Sequence, residues 1–260
     1  MMNLAEYRRT ASRLADYLPW VALVGEGVVL NKDGSFQRTA KFRGPDLDSA
    51  VAAELVAVAG RLNNAFRRLG SGWAIFVEAQ RSEAATYPVS TFPDAASALV
   101  DAERKADFEE EGSHFVSGYF LTLLWLPPAE DAARSESWLY EGRETSGVNP
   151  WEQVRSFIDG TDRVLALLDG FMPDCHWLDD ADTLTYLHST ISINRHRVRV
   201  PEVPVYLDVL LPDQPLAGGL EPRLGNQHLR VLTITGFPSA TTPGLLDELN
   251  RLAFPYRWST

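Results

Sequence analysis

From Phe115 to Pro128 the chain runs almost entirely through apolar residues, and this stretch limits the possible folds more than any other. It falls short of the roughly 20 residues that a helix needs to cross a bilayer. Ser117, Gly118 and Thr122 interrupt it. It therefore predicts a long buried strand. The backbone groups of such a strand must find partners in a sheet.

The residues before it supply candidates. Residues 1–18 read as a short amphipathic helix that stops before Pro19. Residues 21–43 read as a hairpin, with Val28, Val29 and Leu30 before Asn31-Lys32-Asp33-Gly34 and Phe36, Thr39 and Phe42 after it. Asp-Gly between two apolar runs is a turn signal, because Gly accepts positive φ at no steric cost. Leu47, Val51, Leu55, Val58, Leu62, Phe66 and Leu69 are spaced by three or four and share one helical face. Gly70 and Gly72 end that helix. A strand follows over Trp73–Glu78. Residues 94–110 predict a second helix, with Ala95, Leu99, Ala102 and Ala106 on one side. Its charged run, Ala102–Glu111, is best explained as a solvated face.

Residues 127–149 are rich in Pro, Ala, Ser, Glu and Gly and predict a linker or mobile excursion. Beyond it, Asn149 is a suitable N-cap and Pro150 suits the first helical position. Trp151, Val154, Ile158, Leu165 and Leu168 form the apolar stripe of the helix that follows. Another helix is expected over 180–193. Val205–Leu211 and His228–Thr235 read as strands, Thr242-Pro243 as the start of a last helix, and 254–258 as extended. The expected fold is α+β, with two loosely similar layered subdomains of mainly antiparallel sheets packed by helices. The first spans 1–128, the linker or excursion 129–149, and the second, expected to be truncated, 150–260.

Composition narrows the function classes. The 260-residue chain carries a formal net charge of -11, whereas a free-standing nucleic-acid binder usually shows a basic excess. Direct nucleic-acid binding is therefore not expected, although a local basic patch could still act. Cys175 is the single cysteine, so no internal disulfide can form and a reducing compartment fits. The start, MMNLAEYRRT, has no apolar core of a signal peptide, and no transmembrane segment is expected.

A phosphate loop needs a Gly-rich turn followed by Lys and Ser or Thr, so that backbone N–H groups and an ammonium surround the phosphates. No such sequence occurs here, and Gly218-Gly219 lacks the Lys. Asp174-Cys175-His176, with Asp179, Asp180, Asp182 and His188 nearby, could suggest a metal site or a Cys–His pair. A strand-to-helix turn with acidic residues at the helix start explains it more simply. Adjacent strand residues point to opposite faces, so Cys175 and His176 would not activate each other. No catalytic, cofactor-binding or metal-ligating residue is expected. Arg195, Arg197 and Arg199 would share one face of an extended segment. They read either as an anion patch or as a solvated edge strand protected by charge. Lys41 and Arg43 invite the same two readings, with Arg38 on the other side of their strand. Trp138 and Tyr140 are candidate interface anchors, or simply dock onto the parent domain.

Five segments resemble a known family. Leu18-Pro19-Trp20, then Gly27 through Thr39, and then Phe42 through Ser49 look like the start of TrbE-family conjugal transfer proteins. Gly118-Tyr119-Phe120-Leu121-Thr122-Leu123-Leu124-Trp125-Leu126-Pro127-Pro128 and Leu187-His188-Ser189-Thr190-Ile191-Ser192 are similar to the same family. The resemblance implies the amino-terminal region of a type IV secretion ATPase at the cytoplasmic face of the bacterial inner membrane. It implies contacts with inner-membrane secretion components and with sister subunits of a hexamer. It also implies ATP and Mg2+ for a RecA-like motor lying carboxy-terminal to such a region, with none bound in this segment. The expected role is a non-catalytic docking and assembly domain. The alternative is a nucleic-acid-contacting module built on Arg195, Arg197 and Arg199.

Overall fold

The computed structural model describes residues 13–47, 49–84, 87–110, 114–128, 150–233, 235–236, 239–240, 245 and 247–260. Trp138, Tyr140 and the rest of the 129–149 excursion lie outside the described residues.

After a helical turn, α1 (Leu14–Tyr17), three strands follow in succession: β1 (Trp20–Gly25), β2 (Val28–Asn31) and β3 (Phe36–Arg43). The expected hairpin is thus two hairpins. The Asp33-Gly34 turn closes because Gly34 adopts φ +81°, its N–H donates to the Asn31 carbonyl, and the Asp33 carboxylate accepts from the Ser35 N–H at 3.0 Å. Helix α2 (Ala52–Phe66), strand β4 (Trp73–Glu83), helix α3 (Ala95–Phe108) and strand β5 (Phe115–Trp125) come next. Then follow α4 (Pro150–Asp169), β6 (Asp174–Trp177), α5 (Asp180–Ile191), the single turn α6 (Leu207–Leu210), three two-residue strands β7 (Leu216–Ala217), β8 (Arg223–Leu224) and β9 (Gln227–His228), a 3-10 turn (Asp247–Arg251) and β10 (Tyr256–Ser259).

The main sheet runs β1-β2-β3-β5-β4-β10, with β6 also on β3. Every pairing in it is antiparallel, so the α+β, antiparallel expectation holds. The apolar stretch forms β5, inside the sheet, paired along its length with β4 and with β3. Strand β3 uses Phe36–Arg38 to pair with β2 and Ala40–Arg43 to pair with β6, while β5 occupies its other edge. Strands β6 and β10 follow residue 149 yet hydrogen-bond to β3 and β4, so the sheet draws on the chain to both sides of that excursion.

Two cores hold the sheet. On one face Phe36, Leu121, Leu123, Trp73 and Trp125 meet α2 and α4, whose Ala65, Val154, Phe157, Val164 and Leu168 are buried. On the other, Trp20 and Val29 meet Leu184, Leu187 and Ile191 of α5 and Leu207 and Leu211 around α6. Removing each such leucine from water contributes roughly 1.5–3 kcal/mol. Arg38 ties the first face to α4: its Nη1 donates to Asp162 Oδ1 at 2.7 Å and its guanidinium lies over the Trp177 ring.

Four local expectations are corrected. The 205–211 segment is a helical turn, because Leu207 and Leu211, four apart, both reach the core beside α5. Among the described residues the expected strand over His228–Thr235 pairs only at its start, where Gln227–His228 meets β8, and Val231 and Leu232 are exposed. In α4 the buried stripe is Val154, Phe157, Thr161, Val164 and Leu168, and Trp151 is exposed. Helix α3 forms, capped by Asp94, which accepts from the Ser97 N–H. Its packed side, however, is not the apolar one: Asp101 accepts from the Tyr87 hydroxyl at 2.6 Å and Phe108 stacks edge-on against Tyr87. Ala95, Leu99, Ala102 and Ala106 face solvent.

Candidate functional site

The second face of the main sheet is only partly covered. Beyond the end of the apolar core around α5, a cavity of about 520 Å³ remains between β3, β4, β5, α5 and the segment 193–199. Lys41 of β3, Gln80 of β4 and Phe120 of β5 approach from the sheet. Tyr186 and His188 approach from α5, and Arg195, His196 and Arg197 from the segment that closes the side. Alternation along β3 explains why Lys41 reaches this face while Arg38 points to α4.

The 193–199 segment is not a paired strand. It is held by individual bonds. The Asn194 side chain donates to Asp213 Oδ2 at 2.7 Å, and the Val198 N–H donates to Thr185 Oγ1 at 3.0 Å. The His188 ring lies 3.2 Å from the Asp213 carboxylate and packs against His196 with ring centroids 4.5 Å apart. Desolvation works against the Asp213 charge, but hydrogen bonds from Asn194, Ser192 and His188 prevail and hold its carboxyl below the ordinary value.

Within this frame the three arginines part company. Arg197 pairs with Asp182 at 3.2 Å and Asp179 at 3.6 Å, at the start of α5. Among the described residues Arg195 forms no ion pair with a carboxylate. Gln80, with its amide oxygen turned toward the guanidinium, accepts from both its Nη1 and Nη2. Partial desolvation first, and then the neighbouring Arg257 guanidinium, lower the Arg195 pKa against the pull of Glu78. Arg199 lies outside the cavity lining. Arg195 and Arg197 thus line one cavity, and Arg199 does not.

Below the cavity floor sits a buried polar network. Arg257 of β10 donates through Nε to Glu78 Oε1 at 2.6 Å and through Nη1 to the Ser189 carbonyl at 2.8 Å. Tyr186 donates to the other Glu78 oxygen at 3.4 Å, and burial first, then the Glu78 charge, push its hydroxyl up to about 12. Nothing in the spacing of Glu78, Tyr186 and Arg257 announces this group, because strand pairing alone brings β10 to β4. Gln80 and Phe120 escaped sequence reasoning for the same reason. Arg195 and Arg197 carried a signal through their alternation with His196 and Val198, and Lys41 through its place on an expected strand.

The Asp174–Asp182 cluster does not converge. It is strand β6 followed by α5, with Asp179 capping the helix by accepting from the Asp182 N–H at 2.7 Å and Asp180 accepting from the Gly27 N–H at 2.7 Å. Cys175 is buried in the core under α4, whereas His176 lies on the opposite face beside Asp174 at 2.8 Å. Among the described residues no three His, Cys, Asp or Glu side chains come together as metal ligands. None of the described helices is long and apolar enough to cross a membrane.

Comparison with known proteins bears on the whole chain. The family described as type IV secretion system ATPase VirB4/TrbE, N-terminal domain, matches residues 27–133. A conjugal transfer protein TrbE of Rhizobium radiobacter is 34% identical over 278 residues, covering 100% of this chain and 34% of the relative. In Sinorhizobium fredii a probable conjugal transfer protein TrbE is divided into two chains. The first of them is 42% identical over 130 residues, covering 49% of this chain and 87% of that relative. The second is 34% identical over 79 residues, 30% of this chain and 12% of that relative. The chain thus spans about a third of the length of its Rhizobium radiobacter relative.

Proposed function

The chain belongs to the TrbE family of conjugal transfer proteins, and from that premise we propose that it is the amino-terminal docking and assembly domain of a type IV secretion ATPase. It binds inner-membrane components of the secretion machine and neighbouring subunits, peripherally at the cytoplasmic face of the membrane. ATP, with Mg2+, is hydrolysed by a motor elsewhere in the full-length protein. The missing phosphate loop supports the division of labour.

The observation that carries the docking role is the outward stripe of α3. Its four residues are spaced as a buried helix face would be, yet Leu99 is 63% exposed and Val100 beside it 52%. A helix whose apolar side faces water while its polar side holds the parent domain is built to receive a second surface. The proposed occupant is an apolar segment of an inner-membrane secretion component.

Co-purification of the chain with membranes that contain the secretion components tests this. Leu99→Glu with Ala102→Glu will abolish association and leave the circular dichroism unchanged, because α3 contributes no side chain to the buried core. Undiminished association of that variant would remove α3 as the docking face. Failure of the unaltered chain to associate would remove the docking reading itself. In a separate assay the chain, supplied with ATP and Mg2+, will show no turnover. Turnover abolished by a point substitution within these residues would overturn the non-catalytic assignment.

A further inference from the structure

The cavity beside α5 is left unexplained by docking through α3, and its electrostatics oppose those of the molecule. The chain carries a net charge of -11, yet three fixed cations and one carboxylate line this space: Lys41, Arg195 and Arg197 against Asp182. Asp182 is engaged by Arg197. That leaves Lys41, without a hydrogen bond or ion pair among the described residues, and Arg195, whose contact is to the neutral Gln80 amide. Glu78 cannot serve Arg195, because Arg257 already holds it at 2.6 Å. Lys41 and Arg195 thus line one cavity from two sides, and their nearest counter-charge, Glu78, which still attracts Arg195, is already bonded to Arg257, an arrangement that an added anion would relieve. Guanidinium and ammonium groups together suit a phosphate, the first by its paired N–H fork and the second as a point charge. The two free charges match a dianion.

We propose that this cavity is a binding site for a phosphate monoester, held by Lys41 and Arg195, with Arg197 and the His176 and His196 imidazoles at its rim. The chemistry is the same whether the phosphate belongs to a soluble metabolite or to a lipid headgroup. The site stands apart from the docking role of α3 and does not depend on it.

The test titrates the 260-residue chain with inorganic phosphate and with glycerol 3-phosphate, and separately with phosphatidylcholine vesicles with and without phosphatidic acid. Saturable binding is expected for the soluble anions, for the phosphatidic acid vesicles, or for both, and the pattern identifies the source. Arg195→Gln and Lys41→Gln will each weaken binding about tenfold, the loss of one charge-assisted hydrogen bond. Arg199→Gln, outside the cavity, will not. In the unaltered chain bound phosphate will shift the His176 and His196 imidazole resonances, a readout that needs no variant to fold. Absence of saturable binding to any phosphate probe would overturn the proposal. So would equal weakening by Arg199→Gln, silence of both imidazoles, or saturable binding of polyglutamate in place of phosphate.

Discussion

Single residues carry much of the specification here, and Gly27 shows how. It sits between β1 and β2 with φ +65°, and a Cβ at that position would lie 2.3 Å from the Leu178 carbonyl oxygen. Its N–H is bonded to Asp180, 153 residues away. Gly27→Ala must therefore adopt a left-handed backbone and displace the β6–α5 turn. It will cost at least about 2 kcal/mol, read as a lower urea midpoint. Cys175 gives a second test. Burial first, then Asp169 and Asp174, push its thiol up to about 11 from the ordinary 9.0. Since the folded value lies above the unfolded one, the unfolded chain loses the proton first as pH rises. The stability this group lends is complete below 9.0 and is lost between 9.0 and about 11. Cys175→Ala will flatten that region of the stability profile, and iodoacetamide at about neutral pH will label Cys175 at the rate of unfolding. At this scale the sequence was legible where chemistry is local. Asp33-Gly34 announced its turn, and the acidic residues from Asp174 to Asp182 a strand-to-helix turn. The need for Gly27 was not legible, because the carbonyl that excludes a side chain there belongs to Leu178, remote in the chain.

Among the elements, periodicity located α2 and α4, and an apolar run located β5, but periodicity did not always say which side would be covered. In α4 the stripe through Phe157 packs against Phe36, Trp73 and Trp125. Phe157→Ala will cost roughly 3–5 kcal/mol and will alter the fluorescence of the two tryptophans. Leu99→Ala in α3 will change stability by less than about 0.5 kcal/mol, although Leu99 stood on the expected apolar stripe of its helix and Phe157 lay outside the one expected for α4. The difference is tertiary. Helix α4 lies across the sheet, whereas α3 is held by Tyr87 through Asp101 and Phe108 and contributes no buried residue. Periodicity reports that a helix has an apolar side, and the presence of a partner is a separate fact. The 205–211 segment failed in the other direction, since a short apolar run fits a strand or a helical turn until the position of α5 decides between them.

The whole molecule was the least legible, because its sheet is closed by strands that are remote in the chain. Expecting strands before residue 128 and after residue 150 did not reveal that β6 would pair with β3, or β10 with β4. The candidate cavity inherits that difficulty, since its walls come from β3, β4, β5, α5 and the 193–199 segment. Removing residues 254–260 will uncover the edge of β4 and leave Glu78 buried without Arg257, whose Nε it binds across 179 residues. The shortened chain will unfold at lower urea and associate on a sizing column, as an unpaired strand edge does. That pairing also sets a timetable for synthesis. Strand β4 emerges from the ribosome early and gains β5 soon afterwards, but its second edge waits until residue 256 is made. A contact so distant in sequence slows folding, and the unpaired edge stays open to other chains throughout.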